Sequence, residues 1–242
     1  SIQYHGRNPD GFGAAEYHLT SQQEGRGVYS FCMCPGGFVV PSATAPQSIV
    51  INGMSAAGRN SRWSNAAIVV ETRPEDIPQD FRAIALEEGC LALAGLHWRS
   101  SLERLAWEHG CGQKAPAQRL VDFLADRESD LLPATSYAPG IVSCRMERCL
   151  PDGITRRLKC AFHEFGKSMK GFVSEEALLI ASETRTSTPV RILRDKETGE
   201  CTALKNLYPA GEGSGYSGGI VSSAMDGQNQ AAKIIEAFTE QR

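Results

Sequence analysis

Apolar residues along this chain change their spacing several times, and each change marks an element. Four short runs rich in aromatic and β-branched residues come first, at 28–34, 38–40, 48–52 and 66–71. Runs of that length, bounded by Gly, Pro, Asn and Ser, predict strands. Pro35-Gly-Gly37 predicts a tight turn between the first two, and with it a meander. Residues 17–19 are a further candidate strand, behind a polar opening whose Asn8-Pro-Asp-Gly11 signals a turn.

The spacing then lengthens to that of a helix. Over 77–94 it places Phe81, Ile84, Ala85 and Leu91 on one side, and Trp98, Leu102, Leu105 and Ala106 carry it on to His109, where Gly110 is a stop signal. Pro116 predicts another helix start, with Leu120, Phe123 and Leu124 as its stripe. A strand is expected at 141–146, and a helix from Pro151-Asp152 through Leu158, Phe162 and Phe165 to Gly166. Strands are expected at 178–182, 190–193 and 207–210. A glycine-dense loop follows, then a helix from about Ser217 that aligns Ile220, Ala224, Ala231, Ile234, Ile235 and Phe238. The pattern predicts an α+β chain in two parts. Residues 1–182 would form a mixed β-sheet whose helices cap a substrate cavity, and 183–242 a second segment of strand, loop and helix.

Composition narrows the function classes. The 242 residues carry a net charge of −3, so neither nucleic acid nor another polyanion is an expected partner. Arg156, Arg157 and Lys159 are the densest basic cluster and read as a solvated helix face. No apolar run approaches the ~18 residues of a membrane helix, and no signal-peptide pattern opens the chain, so a cytoplasmic location is expected. Eight cysteines in a chain of this size and kind read as reduced thiols. Cys160-Ala-Phe-His163 has ligand-like spacing, but no second close pair completes a zinc site, so no metal is expected.

The glycine loop carries two overlapping patterns. Gly213-Ser-Gly-Tyr-Ser-Gly218 spells G-x-G-x-x-G, yet the dinucleotide fingerprint needs a further strand after its helix, and this helix runs almost to Arg242. Gly215-Tyr-Ser-Gly-Gly219 spells the hydrolase elbow G-x-S-x-G, whose histidine follows its serine; here the last histidine, His163, precedes Ser217. A serine hydrolase using Ser217 stays a minor alternative. The loop's glycines and the helix start behind it suit an electron-rich group, because bare backbone amides can approach it and the helix end carries partial positive charge.

Tyr208-Pro-Ala-Gly-Glu-Gly-Ser-Gly-Tyr-Ser-Gly-Gly-Ile220 resembles the C-terminal signature of a bacterial family of FAD-dependent dehydrogenases, of the NAD(FAD)-utilizing type. In family order, the same resemblance takes in Tyr29-Ser-Phe-Cys-Met-Cys-Pro-Gly-Gly37, Asn52-Gly-Met-Ser55, Ala115-Pro-Ala-Gln-Arg119 with Asp122-Phe123, Ser136-Tyr-Ala-Pro-Gly140 and Glu183-Thr-Arg-Thr-Ser-Thr-Pro-Val-Arg-Ile192. It implies that residues 183–242 complete an FAD-binding α/β domain. Glu212 takes the position that bonds ribityl hydroxyls, and Gly213, Gly218, Gly219 and Ile220 line the cofactor. Arg185, Thr186 and Ser187 fall near the flavin face as substrate contacts, with Arg185 bracing a turn through Glu183 as the alternative. Asn52 and Ser55 are further candidate substrate contacts, and Cys32 and Cys34 are either a redox pair or buried structural thiols. The family's first strand, G-x-G-x-x-G turn and acidic residue belong to an N-terminal dinucleotide-binding portion that this chain lacks. That portion is the expected partner, and NAD(P)H a candidate electron donor. The chain alone is expected to bind FAD weakly or not at all and to be inactive. A non-catalytic ligand- or protein-binding module derived from a flavoprotein is the other reading.

Overall fold

The computed structural model describes residues 18–186, 188 and 190–239, without the Cys32 side chain. The turn expected at Asn8-Pro-Asp-Gly11, the start of the strand expected at 17–19, and Ser187 lie outside the described residues. The described residues are mixed α+β, with several small sheets and five α-helices. The chain divides into two compact units, Ser1–Pro78 with Trp98–Thr184, and Gln79–His97 with Arg185–Arg242.

In the first unit, β1 (Thr20–Gln23), β2 (Arg26–Pro35) and β5 (Ser64–Val70) form an antiparallel sheet in the order β1-β2-β5. β3 (Gly37–Pro41) and β4 (Ile51–Ser55) pair antiparallel as a separate ribbon. The expected tight turn is present, with Gly36 at φ 63°. An added Cβ there would lie 2.2 Å from the Arg59 carbonyl oxygen, so only glycine fits. The expected meander does not form. Both edges of β2 are already bonded, to β1 and β5, so β3 finds its partner in β4. Between Phe31 and Cys34, β2 has one residue more than the facing stretch of β5, and this bulge shifts the register.

A third sheet has the order β7-β6-β8, from β6 (Ala115–Arg119), β7 (Ile141–Ser143) and β8 (Leu178–Ile180). β6 runs parallel to β7 and antiparallel to β8. Pro116 therefore sits in a central strand, not at a helix start, and only α3 (Leu120–Leu124) is helical in that stretch. Pro116 is tolerated because its carbonyl accepts from the Ala181 N–H at 3.0 Å, while its nitrogen has no hydrogen to satisfy.

α2 (Ala94–His109) ends where Gly110 was expected to stop it, and the helix expected at 77–94 is broken. Its first part is α1 (Gln79–Glu87); Gly89, at φ 76°, then ends the helical run before a short 3-10 turn at Leu91–Leu93. α4 (Asp152–Ser168) turns Thr155, Leu158, Ala161, Phe162 and Phe165 inward against β1 and β2. Phe123, Phe162, Phe165 and Phe172 pack there mostly edge to face, with centroids 5.7–6.4 Å apart. The basic residues of α4 are not loose charges: Arg156 is bidentate to Glu24, and Lys159 bonds Asp126 and Glu147.

Both apolar cores lie in the first unit, one around Phe123, Phe162 and Phe165, the other around Ile49, Ile51 and Tyr137. Among its described residues, the second unit buries only Ala85, Ala94 and Pro209 as apolar side chains. Its last helix, α5 (Ile220–Thr239), forms as expected but starts three residues later, after Gly218 and Gly219. The strands expected at 190–193 and 207–210 do not form. Among the described residues, backbone there is joined by the isolated bridge of Arg194 to Cys201 and by scattered single bonds, from Ile192 N–H to Ser214 O and from Thr202 N–H to Leu193 O. A strand needs a neighbour along its length; at 207–210 the Leu207 carbonyl serves Cys201, and Pro209 has no N–H to give.

Candidate functional site

The glycine loop is built by backbone geometry that side chains would disturb. Gly211 has φ 69°, a 3-10 turn covers Glu212–Ser214, and Gly215 is left-handed at φ 80°. An added Cβ at Gly215 would meet the Val190 carbonyl oxygen at 2.6 Å. The turn closes on itself, because Gly211 O accepts from the amides of Ser214 and Tyr216, and Glu212 O from Gly215. Ser222 Oγ caps the helix start by accepting from Gly219 N–H at 3.2 Å.

What remains is an open face. An added Cβ at Gly213 or Gly218 meets nothing within 4 Å. Among the described residues, no acceptor bonds the amides of Gly218 and Ile220. A twenty-residue helix begins there, with its partial positive end facing the gap. An electron-rich ring edge fits this donor set, and the bare glycines leave room for it to approach. Glu212 is half-buried beside that face, with no side-chain hydrogen bond among the described residues. Ser217 Oγ bonds Ser223 Oγ at 2.7 Å and not an imidazole, which leaves a hydrolase triad without its base.

Arg185 and Thr186 are half-buried in the second unit, and Ser187 lies outside the described residues. Asn52 and Ser55 belong to β4 in the first unit. They are three residues apart on a strand, so they face opposite sides. Asn52 Oδ1 accepts from Gly53 N–H at 2.7 Å, and Ser55 Oγ donates to the Pro35 carbonyl at 3.4 Å. The two therefore do not make a single contact patch.

Spacing gave no warning of two other groups. Glu183 is half-buried, and burial pushes its carboxyl up to about 7. The hydroxyl of its neighbour Thr184 donates to the buried Glu103 carboxylate at 2.8 Å. In the second unit, Arg194 forms a bidentate pair with Asp226, 32 residues away. No local motif links those positions.

Cys90, Cys111, Cys144, Cys149, Cys160 and Cys201 carry free thiols. Cys144 and Cys149 are buried with their sulfurs 3.9 Å apart. Among the described residues, no cluster of three or more His, Cys, Asp or Glu could hold a metal ion, and no helix is long and apolar enough to cross a membrane.

The first unit is mixed α+β, and the second holds a glycine turn followed by a helix start whose Gly218 and Ile220 amides are open among the described residues. A family model described as "FAD-dependent protein, C-terminal domain-like" matches residues 1–186, and the chain belongs to that family. The matched stretch ends before the glycine turn. An uncharacterized protein of Clostridium beijerinckii (strain ATCC 51743 / NCIMB 8052) is 43% identical over 230 residues, which cover 93% of this chain and 41% of that protein. The chain thus spans about two-fifths of the length of the curated relative it matches.

Proposed function

We propose that this chain is the C-terminal part of a flavin-dependent oxidoreductase, and that residues 183–242 complete an FAD-binding domain whose dinucleotide-binding portion precedes it. The observation that carries this reading is the lack of an apolar core among the second unit's described residues. Its α5 turns Ile220 (89% exposed), Val221 (72%) and Ile235 (66%) outward, while Asp226 and Gln230 face inward. A helix with its apolar face in water and its polar face engaged is half of a packing arrangement. A further segment of the same polypeptide supplies the other half, in keeping with a relative more than twice as long.

When bound, the flavin supplies the redox chemistry, taking up or giving a hydride. Gly218, Gly219 and Ile220 would set the helix start against the electron-rich edge of the ring system, with the Gly218 and Ile220 amides as the open donors, and Glu212 would accept from ribityl hydroxyls. Gly213 keeps the approach clear of side chains. A helix end contributes about 0.3–2 kcal/mol, enough to tune a potential but far too little to retain FAD alone. The isolated chain is therefore expected to hold flavin weakly and to show no turnover. Arg185, Thr186, Ser187, Asn52 and Ser55 stay candidate substrate contacts, and NAD(P)H the candidate donor. Residues 1–182 would form the substrate domain.

The test is to express the longer polypeptide, record its visible spectrum, and titrate it with NADH and with NADPH. A yellow protein that bleaches with one nicotinamide supports the reading. A colourless protein that gains no flavin on reconstitution overturns it, and favours a non-catalytic binding module.

A further inference from the structure

Among its described residues the second unit has no apolar core, yet its glycine turn is held at several points by one arginine. Arg194 Nη1 donates to Asp226 Oδ2 at 3.0 Å and to the Pro209 carbonyl at 2.6 Å, and Nη2 donates to Asp226 Oδ1 at 2.6 Å. The side chains of Arg194 and Asp226 are only 14% and 16% exposed. The guanidinium lies over the Tyr216 ring, 3.6 Å from its centroid. With its amide turned to satisfy both ends, the buried Gln230 accepts from Arg194 Nε at 3.2 Å and donates to the Gly199 carbonyl at 3.1 Å. Asp226 Oδ2 also accepts from the Gly211 N–H at 2.8 Å. The Tyr216 hydroxyl accepts from the Arg194 N–H and donates to the Ile192 carbonyl, both at 3.0 Å.

We infer that Arg194 is a positioning residue for the glycine turn. It ties the entry of the turn, at Pro209 and Gly211, and its middle, at Tyr216, to the second turn of α5. The amides of Gly218 and Ile220 are then held toward the open side in one geometry. The structural inference concerns the turn itself; its purpose rests on the flavin reading above. Arginine is required because a planar fork meets a carboxylate, a carbonyl and a ring face together. A lysine in its place can meet one of them at a time.

The first measurement is amide hydrogen exchange on the 242-residue chain, with no flavin present. Arg194→Lys should speed exchange at Gly211, Ser214, Gly215 and Tyr216 by about tenfold or more, while the first unit is unchanged. The double variant Arg194→Asp with Asp226→Arg restores an ion pair but neither the Pro209 bond nor the Tyr216 stack. Fast exchange in the turn of the double variant supports positioning. Recovery to the wild-type rate overturns it, since the pair would then only brace the helix. The second measurement is flavin affinity of the longer polypeptide, where Arg194→Lys should weaken binding by about tenfold. Wild type without flavin sinks the flavin reading and leaves the exchange result to judge the positioning. Unchanged exchange in Arg194→Lys sinks the positioning, whatever the flavin does.

Discussion

Asp122→Asn should destabilise the first unit more than its position on a five-residue helix suggests. The carboxylate is 1% exposed. It accepts from Arg119 Nε at 2.6 Å and Nη2 at 3.2 Å, from the Ser129 hydroxyl at 2.8 Å, and pairs with Arg127 Nε at 2.7 Å. An asparagine keeps the shape but removes the charge and points N–H groups at N–H groups. Breaking a buried pair by removing one partner costs about 3–5 kcal/mol. The Arg119 and Arg127 side chains are 24% and 64% exposed, so water can take over part of their solvation. That discount brings the expected loss to about 2–4 kcal/mol, or roughly 5–15 °C in Tm for a unit of this size. All three tryptophans, Trp63, Trp98 and Trp107, lie in the first unit, so fluorescence-detected urea unfolding reads this unit selectively. The Arg119 guanidinium bonded to Asp122 holds its carboxyl below the usual range. The wild-type advantage is thus complete above the unfolded carboxylate value and is lost as pH falls through the lower folded one. A loss under about 1 kcal/mol at neutral pH would refute the idea that this carboxylate anchors the network.

Other expectations follow from the same structure. Phe162→Ala opens the aromatic cluster and should cost about 3–5 kcal/mol in the same urea experiment. In Gly53→Ala the new Cβ would lie 2.2 Å from Asn65 Oδ1 and 2.9 Å from Cys34 Sγ, so a loss of about 1–3 kcal/mol is expected; an unchanged midpoint would show that the Asn65 side chain simply swings away. Burial raises the Glu183 carboxyl to about 7 in the folded chain from an ordinary 4.5, so the native state binds the extra proton and stability should fall as pH rises between those values. Glu183→Gln should flatten that slope; an unaltered pH profile of the unfolding midpoint would argue against a buried, protonated carboxyl.

Several blocks that carry the family resemblance proved to be braces. In Ala115-Pro-Ala-Gln-Arg119 with Asp122, Gln118 is fully buried, donating to the Arg127 carbonyl at 2.7 Å and accepting from the Met146 N–H at 2.8 Å. Ser136 accepts from the Val39 N–H at 2.9 Å, and the buried Tyr137 hydroxyl donates to the Gln113 carbonyl at 3.0 Å. Such motifs announce a family without revealing which of its residues touch a ligand.

Local signals sufficed where neighbours in sequence are also neighbours in space. The turn at Gly36, the stop after His109, the amphipathic α4 and the outlines of β2, β3 and β5 follow from short-range sterics and period, and the sequence shows them, whereas β4 begins three residues past the start of the run expected at 48–52. Tertiary structure alone decided which strands pair, because strand partners are chosen by distant chain. Hence β2 takes β1 and β5, Pro116 lies in a central strand, and no strand forms at 190–193 or 207–210. It also decided which face of α5 meets water. Periodicity locates an apolar stripe, but only the placement of Arg194 opposite Asp226 turns the polar side inward and leaves the stripe uncovered.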